Sequence, residues 1–446
     1  RGGDGDARGG RRARRADAHV VEVVAADWVI PVEGDPIRDG AVAIDGEGRI
    51  ERVGPAASFE GVRRYEGCAL VPGFVNAHSH VEYASYAGFG DGLPFGRWIA
   101  LHMERKRRLD AEDMVAIARL GVAECLASGI TTIGDASFSG AAALAASELG
   151  IRAIVHLEVF GDERALEEQY LPKREQIDGV LDDRVAAGVS PHAPYSCTTG
   201  LYAACLELGV PLATHIAETA AEREWLTAGG GPWASVFPRH LLPPPPLRTG
   251  LHALAEAGLL SPRITAAHCV DVDADEIALL AEHDVAVAHC PRSNAYLGCG
   301  VAPLVELREA GIRVAIGTDS PASTPSFDMF AEMRAGLGAA RARARRADAL
   351  DCASALELAT LGGARALGLE DEVGSLGVGK RADLAIISLA GTSFVPWDDP
   401  IVAVVLGGAP QHVVETFVQG RRTSEKGIEW HGLISGARRA RSRMLA

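Results

Sequence analysis

The sequence has few aromatic residues, no paired cysteine motif and no run of apolar residues long enough to cross a membrane. Phe, Trp and Tyr make up 5% of the 446 residues, whereas glycine alone occurs 51 times, a composition that fits helices packed tightly on a parallel sheet. The eight cysteines are scattered without a C-x-x-C pair, so we expect free thiols in the reducing cytoplasm. Without a long apolar span, we expect no membrane partner.

Basic residues are also fewer than acidic residues. The chain carries 44 Lys and Arg against 59 Asp and Glu, for a formal net charge of −15, and nucleic-acid binding needs a basic face that attracts phosphates. We therefore expect no nucleic-acid partner. Residues 1–17 are rich in Gly and Arg and lack the apolar core of a secretory signal, so they are predicted to form the disordered tail of a cytoplasmic protein.

Short β-type runs occur near both ends of the chain. The predicted strands cover residues 20–30, 41–53, 383–387 and 413–418. They are accompanied by glycine-containing turn signals. The simplest arrangement is a small β-sandwich domain built from residues 18–70 and 373–435. A length of 446 residues leaves room for one large barrel, residues 71–372, inserted between the two halves.

Between these ends, eight short apolar runs alternate with helical stretches, which predicts an α/β chain folded as a (β/α)₈ TIM barrel. The predicted strands are residues 71–76, 130–134, 151–157, 186–190, 212–215, 264–268, 285–289 and 314–317. Helices are predicted at residues 111–127 and 274–282. The proline-rich stretch 232–246 is predicted to be an irregular loop over one face of the barrel.

Residues that can bind a metal follow four of these runs. They are His78 and His80, His215, His268 and Asp319. The carboxyl ends of barrel strands meet at one face, and residues two apart on a strand point to the same side, so these side chains are predicted to converge. A site made of three of these histidines and the aspartate suits zinc or ferrous iron, whereas calcium and magnesium prefer oxygen ligands. We therefore expect one divalent metal, with zinc preferred.

The remaining polar residues at these tips indicate hydrolysis. A bound metal lowers the pKa of its water, and Glu218, three residues after His215, is predicted to accept a proton from that water and pass it to the leaving group. His268 and Asp319 are predicted to orient the nucleophile. Taken alone, each residue also has a structural alternative: a core histidine, a solvated loop glutamate, or a helix N-cap for the aspartate.

Several motifs together resemble those of the amidohydrolase superfamily. They are PGFVNAHSH at 72–80, SPHAPY at 190–195, HIAET at 215–219, AH at 267–268, HCPRSN at 289–294, GTDS at 317–320 and GSLGVGKRADL at 374–384. More narrowly, the chain resembles the branch that holds adenosine-type, S-adenosylhomocysteine and guanine deaminases together with triazine chlorohydrolases. The resemblance covers nearly the whole chain after the tail.

This resemblance implies a metal site and a set of roles. The implied metal ligands are His78, His80, His215 and Asp319. The resemblance also implies that Glu218 is the proton shuttle, that His268 lies near the attacking water and that His192 touches the substrate, although a structural role for His192 stays open. No lysine ends a mid-barrel strand where a carboxylated bridging ligand would be expected, which argues against the two-metal branch of the superfamily.

The stretch after the H-x-H motif bears on the substrate. V-E-Y at 81–83 resembles the H-x-H-L-E pattern of aminodeoxyfutalosine deaminases. In some S-adenosylhomocysteine-type deaminases a glutamate directly before a tryptophan binds the ribose, but here Arg97 precedes Trp98. Arg97 is predicted to meet a substrate carboxylate or to be solvated, and Glu82 to bind substrate or to cap a helix. Arg152 is a further predicted substrate contact.

We expect a metal-dependent deaminase that replaces the amino group of an adenine-type ring with oxygen. The first candidate substrate is 6-aminodeoxyfutalosine of menaquinone biosynthesis, followed by adenosine, methylthioadenosine and S-adenosylhomocysteine. The alternative is hydrolysis of another C–N or C–Cl bond on a triazine, purine or pyrimidine ring. A catalytically silent assembly protein is a third hypothesis, which the retention of the expected metal ligands disfavours. Homo-oligomers are common in the family, so we expect a dimer or larger.

Overall fold

The computed structural model describes residues 20–236, 242–391, 393–394 and 396–446, and the predicted N-terminal tail lies outside these residues. Two sheets organise the described chain, one with eight strands and one with seven. In chain order, the strands are β1 (Val20–Val29), β2 (Ile37–Asp45), β3 (Ile50–Pro55), β4 (Val62–Pro72), β5 (Phe74–Ser79), β6 (Ile130–Ser137), β7 (Arg152–Val159), β8 (Val185–Pro191), β9 (Leu212–Ile216), β10 (Ile264–His268), β11 (Ala286–His289), β12 (Val314–Ile316), β13 (Leu384–Ser388), β14 (Val413–Val418) and β15 (Arg421–Arg422).

The eight-stranded sheet is the predicted barrel. Strands β5 to β12 lie side by side in chain order and pair in parallel. The (β/α)₈ TIM barrel expected from the sequence is confirmed. The first strand begins later than predicted, because residues 71 and 72 belong to β4 of the other sheet, where they pair with β13.

Close backbone contact completes the barrel between its last and first strands. The backbone N–H of Asp319, just after β12, donates to the carbonyl of His78 at 3.0 Å. Gly317 permits this approach, because a Cβ at that position would lie 2.8 Å from the carbonyl oxygen of His78 and 2.9 Å from its backbone nitrogen. Any larger residue would force β5 and β12 apart at the point where the predicted metal ligands stand.

Helices cover the outside of the barrel. In chain order, they are α1 (Phe95–Lys106), α2 (Ala111–Ala127), α3 (Ala141–Leu149), α4 (Leu171–Ile177), α5 (Thr199–Glu207), α6 (Ala220–Ala228), α7 (Trp233–Val236), α8 (Gly250–Glu256), α9 (Ala274–Glu282), α10 (Pro291–Tyr296), α11 (Leu304–Glu309), α12 (Met329–Ala344), α13 (Cys352–Leu358), α14 (Leu361–Leu367), α15 (Pro400–Val402), α16 (Thr423–Lys426) and α17 (Trp430–Leu445). Both predicted helices, α2 and α9, occur at the predicted residues. Each begins at an aspartate, Asp110 or Asp273, whose side chain forms a capping box with the first turn. Among the helices of the described residues, none is long and apolar enough to span a bilayer.

The second sheet joins the two ends of the chain. Its order is β15-β14-β13-β4-β1-β2-β3, so β4 and β13 link the N-terminal strands to the C-terminal ones. Apolar side chains from both ends, including Val24, Leu70, Leu384 and Phe417, share one buried cluster. The predicted β unit built from both ends is present as one continuously hydrogen-bonded sheet. The residue boundaries expected for the domains stay a prediction.

The C-terminal helix braces the turn that follows the H-x-H motif. Residues Val81–Tyr86 form a short 3₁₀ turn directly after His80. Ala440 and Met444 of α17 share a buried apolar cluster with Tyr86 and with Ile117 of α2. The packing of α17 and α2 therefore fixes the course of the chain beyond the first two predicted metal ligands.

The proline-rich stretch is not wholly irregular. Contrary to the prediction, it contains the one-turn helix α7 directly after Pro232, because residues 233–236 include no proline. Residues 237–241 lie outside the described part of the chain. Trp233 of α7 is 1% exposed. Its ring lies 5.7 Å from that of Phe95 and 4.6 Å from that of Tyr195. This aromatic cluster covers part of the carboxyl face of the barrel.

Candidate active site

The first two predicted ligands follow one another at the tip of β5. The rings of His78 and His80 lie 4.9 Å apart, and each also lies close to the ring of His215 at the tip of β9. The Nε2 atoms of His80 and His215 are 3.3 Å apart. Alternation along β5 and the parallel register of the barrel thus bring three imidazoles from two strands to one point.

Backbone carbonyls fix the orientation of two of these rings. The Nδ1 atom of His80 lies 2.8 Å from the carbonyl oxygen of Ala136, and the Nδ1 atom of His215 lies 2.8 Å from that of His192. A carbonyl only accepts, so each Nδ1 carries the proton and each Nε2 keeps its lone pair. Burial and the neighbouring imidazoles lower the pKa of His215 to about 3, which keeps it in the neutral form that binds metals.

Asp319 is the carboxylate of the cluster. Its Oδ2 accepts hydrogen bonds from the hydroxyls of Ser293 at 2.6 Å and Ser323 at 2.8 Å. Its Oδ1 lies 3.7 Å from Nε2 of His78 and 3.5 Å from Nε2 of His80. The residue has a φ of 55°, in the left-handed region that costs energy outside glycine. The two serines therefore hold one oxygen while the other faces the imidazoles.

The donor set fits a divalent metal. The Nε2 atom of His78 is buried and has no hydrogen-bond partner within the described chain, a costly arrangement unless a ligand satisfies it. His78, His80 and Asp319 present ligand atoms within 4.8 Å of one another, as do His78, His215 and His268. Neutral imidazoles with one carboxylate suit zinc or ferrous iron.

Glu218 and His268 stand beside this cluster. Oε1 of Glu218 lies 3.6 Å from Nε2 of His268, and both residues group with Asp319 within 4.8 Å. The Nδ1 atom of His268 lies 2.9 Å from Oδ1 of Asn294, so its Nε2 faces Glu218. Burial, followed by the charges of Asp319 and Glu222, raises the pKa of the Glu218 carboxyl well above its usual range, which suits a group that holds and releases a proton.

The site opens into a cavity of about 670 Å³, within the size range of small-molecule pockets. Its wall includes the predicted residues His80, His192, His215, Glu218, His268 and Asp319, together with the aromatic residues Tyr83, Phe95, Trp98, Phe138, Phe160 and Tyr195. His192 lies beside His215, with ring centroids 4.8 Å apart, and its Nδ1 lies 2.7 Å from the hydroxyl of Ser196. Its contact with substrate stays a prediction.

A family model shows which group of proteins the chain resembles. The model described as the amidohydrolase family matches residues 69–423, which span the barrel and strands of the second sheet. The chain belongs to the amidohydrolase family. It is therefore a hydrolase, as its sequence predicted.

Within this family, the chain is similar to two deaminases and to one deaminase of solved structure. The amidohydrolase is 33% identical over 416 residues to a 5-methylthioadenosine/S-adenosylhomocysteine deaminase of Moorella thermoacetica, covering 90% of this chain and 93% of the relative. It is 32% identical over 399 residues to a 5'-deoxyadenosine deaminase of Methanothermobacter thermautotrophicus, covering 86% and 89%. A zinc-bound adenosine deaminase from Xanthomonas campestris superposes with a TM-score of 0.85 at 29% identity, covering 95% of this chain and 98% of that structure.

Three predicted substrate contacts lie away from the cavity. Arg152 stands at the start of β7, at the opposite end of the barrel, where its guanidinium pairs with Asp383. Glu82 is fully buried and accepts from the hydroxyl of Ser137 and from backbone N–H groups at the start of α3, so it caps a helix. Arg97 is exposed on α1. The assignment of substrate binding to these three residues is not supported.

Sequence reasoning missed several polar residues of the cavity. Glu158 near the tip of β7 and Lys106 at the end of α1 both line it. Lys106 donates to the hydroxyl of Tyr83 at 2.6 Å, and its Nζ lies 3.6 Å from the ring centroid of Phe138. Glu158 directly follows the predicted strand 151–157, so the rule that found the metal ligands would also have found it. Lys106 lies within a helix and carries no such signal.

Proposed function

We propose that this amidohydrolase is a metal-dependent deaminase of adenine ribonucleosides. The observation that carries the proposal is the buried, unpartnered Nε2 of His78 beside His80, His215 and Asp319, with the Glu218 carboxyl 3.6 Å from His268. That arrangement joins a metal site to a proton-transfer group at one end of a cavity. The reaction consumes water and an adenine ring, and releases ammonia and a hypoxanthine ring.

The residues that would hold the metal are His78, His80, His215 and Asp319. The zinc bound by the Xanthomonas adenosine deaminase and the nitrogen-rich donor set both favour zinc, with ferrous iron as the alternative. A bound zinc ion supplies a water that ionises near neutral pH and a positive charge that stabilises the developing negative charge.

The chain's own residues move the protons and orient the ring. The Glu218 carboxylate takes one proton from the attacking water and delivers it to the ring nitrogen, and then takes the second proton from the added hydroxyl and delivers it to the departing amino group. Its raised pKa makes the protonated form accessible. His268, held by Asn294 at 2.9 Å, directs Nε2 toward the reacting carbon. His192 lies on the other side of His215, where it contacts the body of the substrate.

The proposed substrate class follows from what the three named proteins share. Their names specify 5-methylthioadenosine and S-adenosylhomocysteine, 5'-deoxyadenosine, and adenosine, all of which carry adenine on a ribose and differ in the 5' group. Phe95, Trp98 and Ile99 line the cavity of this chain. Their apolar surfaces favour an uncharged 5' group such as methylthio over a charged one.

The first substrate expected from the sequence, 6-aminodeoxyfutalosine, is not the substrate that we propose. None of the three named proteins is described as acting on it. The sequence argument for it relied on the resemblance of V-E-Y at 81–83 and on Arg97 meeting a carboxylate, and Arg97 is exposed on α1.

The test is ammonia release by the zinc-loaded protein. The panel contains 5'-methylthioadenosine, 5'-deoxyadenosine, adenosine, S-adenosylhomocysteine, 6-aminodeoxyfutalosine, guanine and a chlorotriazine. We expect 5'-methylthioadenosine or 5'-deoxyadenosine to give the highest kcat/KM. Chloride release from the triazine with no ammonia from any adenine nucleoside would replace the proposal with a dehalogenase, and inactivity of protein shown to hold one metal would refute both.

A further inference from the structure

Glu158 is a buried carboxylate without a partner. Its side chain projects into the cavity and the residue is 2% exposed. Within the described chain, its carboxylate oxygens take part in none of the side-chain hydrogen bonds, although its backbone carbonyl accepts from the Lys173 ammonium at 2.7 Å. Because this carboxylate lines the cavity without a protein donor, its acceptor sites remain for donors that a ligand brings.

The position of Glu158 indicates which part of a ligand it faces. One of its carboxylate oxygens and one ring nitrogen each of His192 and His215 lie within 4.8 Å of one another. Glu218 and His268 form a separate group with Asp319. Glu158 therefore lies beside His192 and the proposed metal ligand His215, in a different group from Glu218 and His268.

The surroundings of Glu158 select hydroxyl donors. Burial raises the pKa of the Glu158 carboxyl, and the charges of His80, Lys106 and Lys173 oppose that rise. The Nζ atoms of the two lysines lie within 5.2 Å of the ring centroid of Phe138. A further cation on the ligand would meet their repulsion. Neutral donors do not, and two adjacent hydroxyls can each donate to one oxygen of a single carboxylate.

We propose that Glu158 binds the vicinal 2' and 3' hydroxyls of the ribose and thereby selects ribonucleosides over deoxyribonucleosides and free bases. This inference rests on the proposed function. Three carboxylates line the described cavity, namely Glu158, Glu218 and Asp319. The last two act at the reaction centre, so Glu158 is the one that remains for the sugar.

The experiment combines substitutions in the enzyme with removal of the hydroxyls from the substrate, as in a double-mutant cycle. We would measure kcat/KM for adenosine and for 2',3'-dideoxyadenosine with the zinc-loaded wild type, Glu158→Gln and Glu158→Met. Glu168→Gln, an exposed glutamate on the same connection after β7, is the matched control. Hydrogen bonds to a charged group contribute roughly a 10- to 100-fold preference. We expect the wild type and the control to prefer adenosine by about that factor, and both Glu158 variants to lose most of the preference.

The outcomes separate the inference from the proposed function. If the wild type deaminates adenosine, and the Glu158 variants lose the same factor on both nucleosides, Glu158 has another role and the deaminase proposal stands. If the wild type deaminates neither nucleoside nor the others of the panel, both fail together.

Product binding provides a readout that does not depend on turnover. By calorimetry, the wild type should bind inosine roughly 10- to 100-fold more tightly than 2',3'-dideoxyinosine, and Glu158→Gln should bind them equally. Should the variants not fold, equal affinity of the wild type for the two products would itself overturn the inference.

Discussion

Arg152 and Glu158 lie at the two ends of the same strand, β7 (Arg152–Val159). Both are buried, at 4% and 2% exposure. Nε and Nη2 of Arg152 donate to the two carboxylate oxygens of Asp383 at 3.1 and 3.4 Å, whereas the Glu158 carboxylate has no protein donor within the described chain. On this strand, the buried charge at the amino end is thus paired to join the two sheets, and the buried charge at the carboxyl end faces the cavity.

The same contrast holds for two aspartates. Asp383 uses both carboxylate oxygens within the protein, since it also accepts from the backbone N–H of Gln419 at 2.7 Å. Asp319 has one oxygen bound by two serines and the other turned toward His78 and His80. Four substitutions test the contrast between carboxylates that are paired within the protein and those that face the cavity.

Asp319→Ala should have the largest effect. It removes the oxygen ligand and leaves the hydroxyls of Ser293 and Ser323 without their acceptor, so metal content should fall from one per chain toward zero and deaminase activity should be lost. Metal analysis after dialysis, together with ammonia release, measures both. Retention of one tightly bound metal with full activity would remove Asp319 from the ligand set.

Glu218→Gln should keep the metal and lose most of the deaminase turnover. Positioned acid–base catalysis contributes about 10²- to 10⁴-fold, so kcat should fall by that order while metal content stays at one per chain. Glu224→Gln, an exposed glutamate on α6, is the control and should leave kcat unchanged. A wild-type kcat in Glu218→Gln would assign the proton transfer to another group.

Arg152→Ala tests the buried ion pair with Asp383 at the amino end of the barrel. Removing one partner of a buried ion pair costs about 3 to 5 kcal/mol, because Asp383 remains buried, so the midpoint of chemical denaturation should fall clearly while metal content and kcat are kept. Arg365→Ala is the matched control, because Arg365 pairs with Glu357 nearer the surface, with 45% and 27% of the two side chains exposed, and should change the midpoint little. A large loss of kcat at unchanged stability would return Arg152 to the substrate site.

Lys106→Met should have the smallest effect, and in the opposite direction. Burial lowers the pKa of Lys106 from 10.5 to about 8, with the charges of Glu158, Glu82 and Lys173 nearby. The folded chain thus binds this proton less tightly than the unfolded chain, a penalty fully present below pH 8 and absent above 10.5.

Replacing Lys106 should therefore stabilise the protein near pH 7 by on the order of 1 kcal/mol, because water in the cavity screens much of the penalty. The gain should shrink as the pH rises from 8 to 10.5. Denaturation of wild type and variant at pH 7 and pH 10 measures it. A variant less stable at pH 7 would show that the bond to Tyr83 outweighs the burial of the charge.

The sequence predicted the ligands of the candidate site because their signal is local. His78, His80, His215, His268 and Asp319 each follow an apolar run, and parallel strands of a barrel end at the same face. The same rule excludes Arg152, which begins its strand, and includes Glu158, which directly follows the predicted strand 151–157 although the prediction did not single it out. Glu82 and Arg97 lie beyond the strand, where residue type alone does not fix the direction of a side chain.

The order of strands and helices and the barrel were predicted from the sequence, since alternation and strand ends act over a few residues. The metal-binding role of the histidines and of Asp319 stays a prediction. Which polar groups are satisfied was decided by the tertiary structure alone. Asn76 meets Thr318 across 242 positions of the chain, and Arg152 meets Asp383 across 231. Such contacts leave Nε2 of His78 and the carboxylate of Glu158 without partners, because a buried group's hydrogen bonds depend on what folding places beside it.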